Sequence, residues 1–397
     1  MTENKKYFFL ALICLSLILG TGWAAEETRT VVDSRGVEVQ IPAEIKRVVT
    51  ISDGLIEGTM LVLGEEDKIV GIGSTCLPKI WNYTYESVKG KPIVYEDGAN
   101  PVSFLYPRLR ELPIVANGDA APNFEAIAEL KPDVVILRAG DCSLRYNDEN
   151  AQKTISSFAS LGIPLIVLYA HNFDEEEHKD ISTISDEIRI IGRVFGKEDK
   201  ADELAEYLES QVDLVNDRTK DIAEEQKPRV LILGLSPSAR KEGGAGQVFG
   251  LDTIESSFIE EIVHAQNSFQ DPGYFKTLNA EQLLALDPDS IVLCTASGYH
   301  PPSELYEAPY YQNLQEMRAV KDRNVTALPW SPCNCAKRLE YPIDVMVIAK
   351  AAYPDRFQDI ELEQWLLDFY QNVYGVDQDT AKKLRSAQWM DWTNEKI

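Results

Sequence analysis

Short apolar runs recur along the chain at residues 48–51, 69–72, 134–137, 165–168, 230–233, 291–293 and 325–328. Each has the length of a strand, and helical patterns lie between several of them. Strands alternating with helices predict α/β lobes built on mainly parallel sheets. In the middle of the chain Ile184, Ile188, Ile191 and Phe195 follow helical spacing, which Gly196 ends. From 199 to 225 there is no Gly or Pro, and Leu204, Leu208, Val212 and Val215 form one apolar stripe. The spacing predicts a helix over 199–225, roughly 40 Å long at 1.5 Å per residue. It is long enough to run from one lobe to another. An uninterrupted helix resists bending, so relative movement of the lobes is expected to be small.

The pattern also repeats. The fifteen residues NFEAIAELKPDVVIL that begin at Asn123 return as NAEQLLALDPDSIVL from Asn279, with six identities and a spacing of 156 residues. Both copies read alike: Asn caps a helix, Glu sits in the first turn where the dipole favours an anion, Pro stops the helix, and an apolar strand follows. Two lobes on one plan are expected; the alternative is a chance match of a common helix–Pro–Asp–strand unit. With 397 residues the chain suits two domains. The expected boundaries are a signal peptide at 1–25, an N-terminal lobe at 28–180 and a helical segment at 181–227. A C-terminal lobe at 228–375 and a tail helix at 376–397 complete the chain.

The first residues bear on location. Lys5 and Lys6 precede an apolar stretch at 8–19, and Gly22, Ala24 and Ala25 offer small residues for cleavage. This reads as a secretory signal, with an uncleaved anchor as the alternative. Cys14 follows Ile13, a poor setting for a lipid anchor. The expected place is the periplasm or the outer face of the cytoplasmic membrane. A net charge of −25 argues against nucleic acid as a partner.

Residues 30–42, TVVDSRGVEVQIP, followed by Arg47-Val-Val, resemble the opening of the solute-binding proteins for iron siderophores and vitamin B12. The two repeat copies and the long helix resemble that family as well. The resemblance implies two similar α/β lobes joined by one helix, with a ligand cleft between them. It implies no intrinsic cofactor, a bound metal chelate (ferric siderophore, corrinoid, haem or similar), and an ABC permease dimer as partner. Glu125 and Glu281, third in each repeat copy, match the glutamates that dock on the permease. On their own, both read as first-turn acids favoured by the helix dipole. The chain departs from the family pattern between about 79 and 106, where it is longer.

In open α/β sheets, ligands lie beyond the carboxyl ends of the strands. The residues there supply the candidates for ligand contact: Trp330, Tyr299, His300, Arg240, Arg145 and Cys142. Trp and Tyr give flat apolar contact, and Arg grips oxyanions with two donors. Cys333 and Cys335 are candidate metal ligands, since thiolates prefer soft metals; a disulfide is the alternative. After removal of Cys14 the cysteine count is odd, so at least one thiol is free or paired with another chain. Cys76 and Cys294 fit a cleft or a core equally. The glycine-rich stretch 243–250 lacks the Lys-Ser/Thr of a phosphate loop and reads as a turning loop. Four histidines without zinc-protease spacing, and Gly234-Leu-Ser-Pro without the second glycine of a nucleophile elbow, give no catalytic motif. The expected role is a carrier and not an enzyme. The alternative is an exported metal-storage protein or surface enzyme.

Overall fold

Apolar residues on both faces of a strand require cover on both sides, and all seven runs fold in this way. The computed structural model describes residues 27–116, 121–140, 149–170, 181–241, 243–295, 300–331 and 337–394. The strands are β1 (Thr28–Val32), β2 (Glu38–Pro42), β3 (Val48–Ile51), β4 (Ile69–Ile72), β5 (Trp81–Glu86), β6 (Pro92–Gly98), β7 (Val134–Ala139) and β8 (Leu165–Tyr169). The second half adds β9 (Arg229–Gly234), β10 (Gly246–Val248), β11 (Gln266–Asn267), β12 (Lys276–Leu278), β13 (Ser290–Leu293) and β14 (Val325–Ala327). In the first lobe, β4-β3-β7-β8 form a parallel sheet. In the second, the order is β12-β10-β9-β13-β14, with β11 beside β9.

The second sheet is mixed: β10 runs antiparallel to both β9 and β12. The glycine-rich stretch, expected as a loop, thus supplies a strand. Gly246 permits it, because a Cβ there would lie 2.6 Å from Leu233 Cδ1. Hydropathy alone cannot reveal a strand of small residues.

The repeat copies take the same form. Asn123 and Asn279 each cap a helix, Phe124–Leu130 and Ala280–Leu286, and accept hydrogen bonds from the N–H groups of Ala126 and Gln282. Both helices end on a left-handed residue, Lys131 at φ 45° and Asp287 at φ 37°. Asp133 and Asp289 then accept, at 2.9 and 2.8 Å, from the N–H groups of Arg47 and Arg229 beside the neighbouring strand. The 156-residue echo is therefore a repeated substructure and not a coincidence of letters.

The long helix is Glu198–Thr219, shorter than the 199–225 expected. Its end is set from outside: Arg356 Nη1 donates to the Arg218 carbonyl at 2.6 Å, and Arg218 pairs with Asp359 at 2.6 Å. Such a tertiary cap leaves no mark in the local sequence. Leu204, Leu208 and Val215 of the predicted stripe are buried. Alternate positions of β7 and β9 divide between cores. Val134, Ile136, Val230 and Ile232 join one continuous core with the long helix, whereas Val135 and Leu137, and Leu231 and Leu233, face separate outer cores. One apolar mass therefore passes through both lobes. The tail forms the helix Gln378–Ala387 and a short turn at Asp391–Asn394, held by Arg385 against Glu363 and Asp391. No helix among the described residues is long and apolar enough to cross a membrane.

Candidate functional site

The carboxyl ends of the parallel strands meet between the lobes, and the polar groups gathered there are largely buried. Asp53, just past β3, accepts from Ser74, just past β4. Arg338, from the segment after β14, donates its Nε to the Asp53 carbonyl and its Nη1 to Ser331 Oγ at 2.7 Å. Gly54 lets it pass: φ is 117°, and a Cβ would lie 2.9 Å from Arg338 Nε. Arg138, the last polar residue of β7, has no solvent exposure. It holds Glu187 with two donors at 2.6 and 2.9 Å and reaches the Lys337 carbonyl at 2.8 Å. Lys337 in turn pairs with Glu255 at 3.1 Å and Asp344 at 3.2 Å. Burial pushes the Glu187 carboxyl up despite the Arg138 charge beside it. A cavity of about 30 Å³, lined by Ser331, Lys337, Arg338, Glu340, Tyr341 and Asp344 among others, lies in this network. A larger one of about 450 Å³ sits against the long helix. Glu209, Asp213 and Glu261 are among its lining residues, with no lysine or arginine, so it does not suit an anion.

Glu57, in the first turn of the helix Leu55–Leu63, is fully buried below Asp53 and accepts from Ser52 Oγ at 2.6 Å. Burial, first, and the Asp53 charge hold its carboxyl above the ordinary carboxylate range, against the hydrogen bond from Ser52. A raised folded-state pKa means stability present in acid and lost as pH rises through the raised value. Glu57→Gln is therefore expected to gain on the parent as pH rises, by about 1 kcal/mol at pH 8. Urea unfolding at pH 5 and pH 8 measures this; a constant gap between the two proteins would contradict it.

The expected contact residues are placed as follows. Trp330 is 1% exposed, and its ring packs on Trp389 with centroids 5.4 Å apart. It belongs to an aromatic cluster with Trp81, Tyr83 and Tyr95 and offers no open face. Arg240 lies 4.1 Å over the Tyr310 ring and donates to Tyr311 at 2.5 Å. His300 is buried, its Nδ1 3.2 Å from Glu304 Oε2, and its Nε2 has no hydrogen-bond partner among the described residues. Glu304 also accepts from Tyr83 at 2.7 Å and Tyr310 at 2.6 Å. Burial, first, and the Glu304 charge push the Tyr83 hydroxyl up. Arg240 and His300 thus share one cluster around Glu304. Cys294 is a free thiol in the core, its pKa raised by burial, and Cys76 is half-buried. Tyr299, Arg145, Cys142, Cys333 and Cys335 lie outside the described residues. Among the described residues, no group of three or more His, Cys, Asp or Glu is placed to hold a metal ion. Glu125 and Glu281 are exposed in the first turns of the paired helices.

The long segment at 79–106 contains β5 and β6, an antiparallel hairpin. Its alternation was legible in the sequence: Trp81, Tyr83 and Tyr85 turn inward, while Asn82, Thr84 and Glu86 are exposed. Neither the hairpin nor the role of Tyr83 is among the features expected from the sequence.

The family model for periplasmic binding proteins matches residues 49–331, from β3 through the strand ends that build the interface. The chain belongs to the periplasmic binding protein family. Its curated relatives include the molybdate-binding protein MolA of Haemophilus influenzae, 24% identical over 92% of this chain and 96% of the relative. Another is the petrobactin-binding protein YclQ of Bacillus subtilis, 26% identical over 75% of this chain and 78% of the relative. Among solved structures, a periplasmic solute-binding protein of Veillonella parvula shares the fold at TM-score 0.68 and 22% identity, covering 93% of this chain and 99% of that one. MolA of Haemophilus influenzae bound to molybdate follows at TM-score 0.63 and 21% identity, covering 88% and 98%. A periplasmic binding protein of this family serves an ABC importer: it binds a small solute and works with the membrane permease. Its members bind substrates and are not enzymes.

Proposed function

We propose that this binding protein is exported by its N-terminal segment, captures a compact anionic metal species, and delivers it to a permease through Glu125 and Glu281. A metal oxyanion or a carboxylate-rich ferric chelate fits this description. The observation that carries the reading is the chemistry of the interface. Arg138, Lys337 and Arg338 gather at the strand ends. Arg138 and Lys337 are held by Glu187, Glu255 and Asp344. Arg338 instead donates to the Asp53 carbonyl and Ser331 and is the cation proposed to meet the anion in a chain of net charge −25. Trp330, the flat surface a porphyrin or corrin would use, is packed against Trp389. Relatives named for molybdate, petrobactin and Fe(3+)-citrate binding span this range of cargo. His300 and Arg240 are proposed as further solute contacts.

Calorimetric titration of the purified protein with sodium molybdate, ferric citrate and haem tests the reading. One of the first two is expected to bind at about micromolar Kd or tighter, and Arg338→Met to weaken it at least ~10-fold through loss of charge-assisted hydrogen bonds. Haem binding with silence from both anions would overturn it.

A further inference from the structure

The β5–β6 hairpin leaves the first lobe after β4 and rests on the second. At its tip, the Val88 N–H donates to the Glu307 carbonyl at 2.7 Å, Ser87 Oγ to the Glu307 carboxylate at 3.1 Å, and Lys89 Nζ to the same group at 2.5 Å. Along its length, Tyr85 meets Ser303 at 2.9 Å and Tyr83 meets Glu304 at 2.7 Å. All of these partners lie on or at the helix Pro302–Glu307, between β13 and β14. At its base, Trp389 Nε1 donates to the Glu96 carbonyl at 2.8 Å and the Ala99 N–H to the Ala387 carbonyl at 2.9 Å. The hairpin is therefore fixed at tip, middle and base to parts of the chain that fold far from it in sequence. The long helix joins the lobes along one side, and Arg138 and Arg338 cross between them; the hairpin is a further connection, on the helix Pro302–Glu307.

The middle contact does more than hold. Glu304 is fully buried and is shared by Tyr83, Tyr310 and His300. The carboxylate at Nδ1 fixes the orientation of the imidazole, and Nε2 is the atom without a hydrogen-bond partner among the described residues. Arg240 packs on Tyr310 of the same cluster.

We propose that the hairpin is a strap that holds the two lobes at one spacing and, through Glu304, fixes His300 and Arg240 for the solute. Tyr83 and Glu304 are then positioning residues. The fixing of His300 for a solute rests on the function proposed above; the strap itself does not.

The test needs no solute. Spin labels carried on noncanonical amino acids at exposed Glu129 and Glu316 report the distance between lobes without touching the cysteines. In the triple variant Tyr83→Phe, Tyr85→Phe, Ser87→Ala, the distance distribution is expected to widen roughly twofold as minor lobe arrangements become populated. An unchanged width in a folded variant would overturn the strap. Should the triple variant fail to fold, Ser87→Ala with Lys89→Ala removes the side-chain contacts of the tip and leaves it only the Val88 backbone bond, and a width equal to the parent's would overturn the strap in the same way. Nitrogen-15 spectra of His300 test the positioning: Glu304→Gln should shift the two ring-nitrogen signals, and unaltered signals would remove Glu304 from that role. If both results are as expected while sodium molybdate and ferric citrate fail to bind, the strap stands and the proposed cargo falls.

Discussion

Uptake should collapse when Glu125 and Glu281 are both replaced by lysine, while solute affinity stays at the parent value. Each glutamate is exposed in the first turn of a capped helix, at the same place in the two copies of the repeat. Neither has an ion pair among the described residues, so an interior partner is not lost. Lysine there opposes the helix dipole, at about 0.3–1 kcal/mol per site, too little to unfold the lobes. A permease surface that met two carboxylates would meet two ammonium groups, and like charges across a contact cost several kcal/mol. Transport is therefore expected to fall about 100-fold or more in a reconstituted system. Equal transport by the double variant would move the docking surface elsewhere. A single reversal should give an intermediate loss, because one lobe would still be matched.

The largest effect on stability is expected from Arg138→Met. The guanidinium holds Glu187 with two hydrogen bonds and caps the Lys337 carbonyl, and both side chains of the pair are at most 1% exposed. Removing one partner of a buried pair leaves the other charge without compensation, at roughly 3–5 kcal/mol. The burial that already raises the Glu187 pKa would then favour its neutral form still more. The double variant Arg138→Met, Glu187→Leu should recover most of the loss, because two apolar side chains of similar volume can replace a buried pair. Urea unfolding of the four proteins in this cycle gives the coupling. A single Arg138→Met variant as stable as the parent would show that the pair adds nothing.

Much of the fold could be read in advance because burial on both faces writes itself as apolar runs. The seven predicted strands appear, and the repeat exposes the plan of two lobes. Other strands carry no continuous apolar run: β10 was hidden by Gly246, while the hairpin shows only as an alternation of half-apolar tyrosines with polar residues. The long helix was drawn too far because its end depends on Arg356, 138 residues beyond Arg218. At the interface, residue types at strand ends were legible, but their directions were not. Trp330 follows a strand yet turns inward to Trp389, since the tail brings a second indole that no local pattern announces. Arg138 and Arg338 stood in the same stretches as the candidates, and only the fold shows that they cross between lobes.

The apolar mass shared by the lobes has a consequence for any attempt to divide the molecule. A cut between Thr219 and Arg229 would fall between the two main sheets in sequence. Yet the first half would bare the side of its sheet that carries Val134 and Ile136, and the second the side with Val230 and Ile232. Neither fragment would be a finished module. The halves should be poorly soluble apart and should reassemble when mixed, so the covalent join between the lobes is less essential than the seam they share.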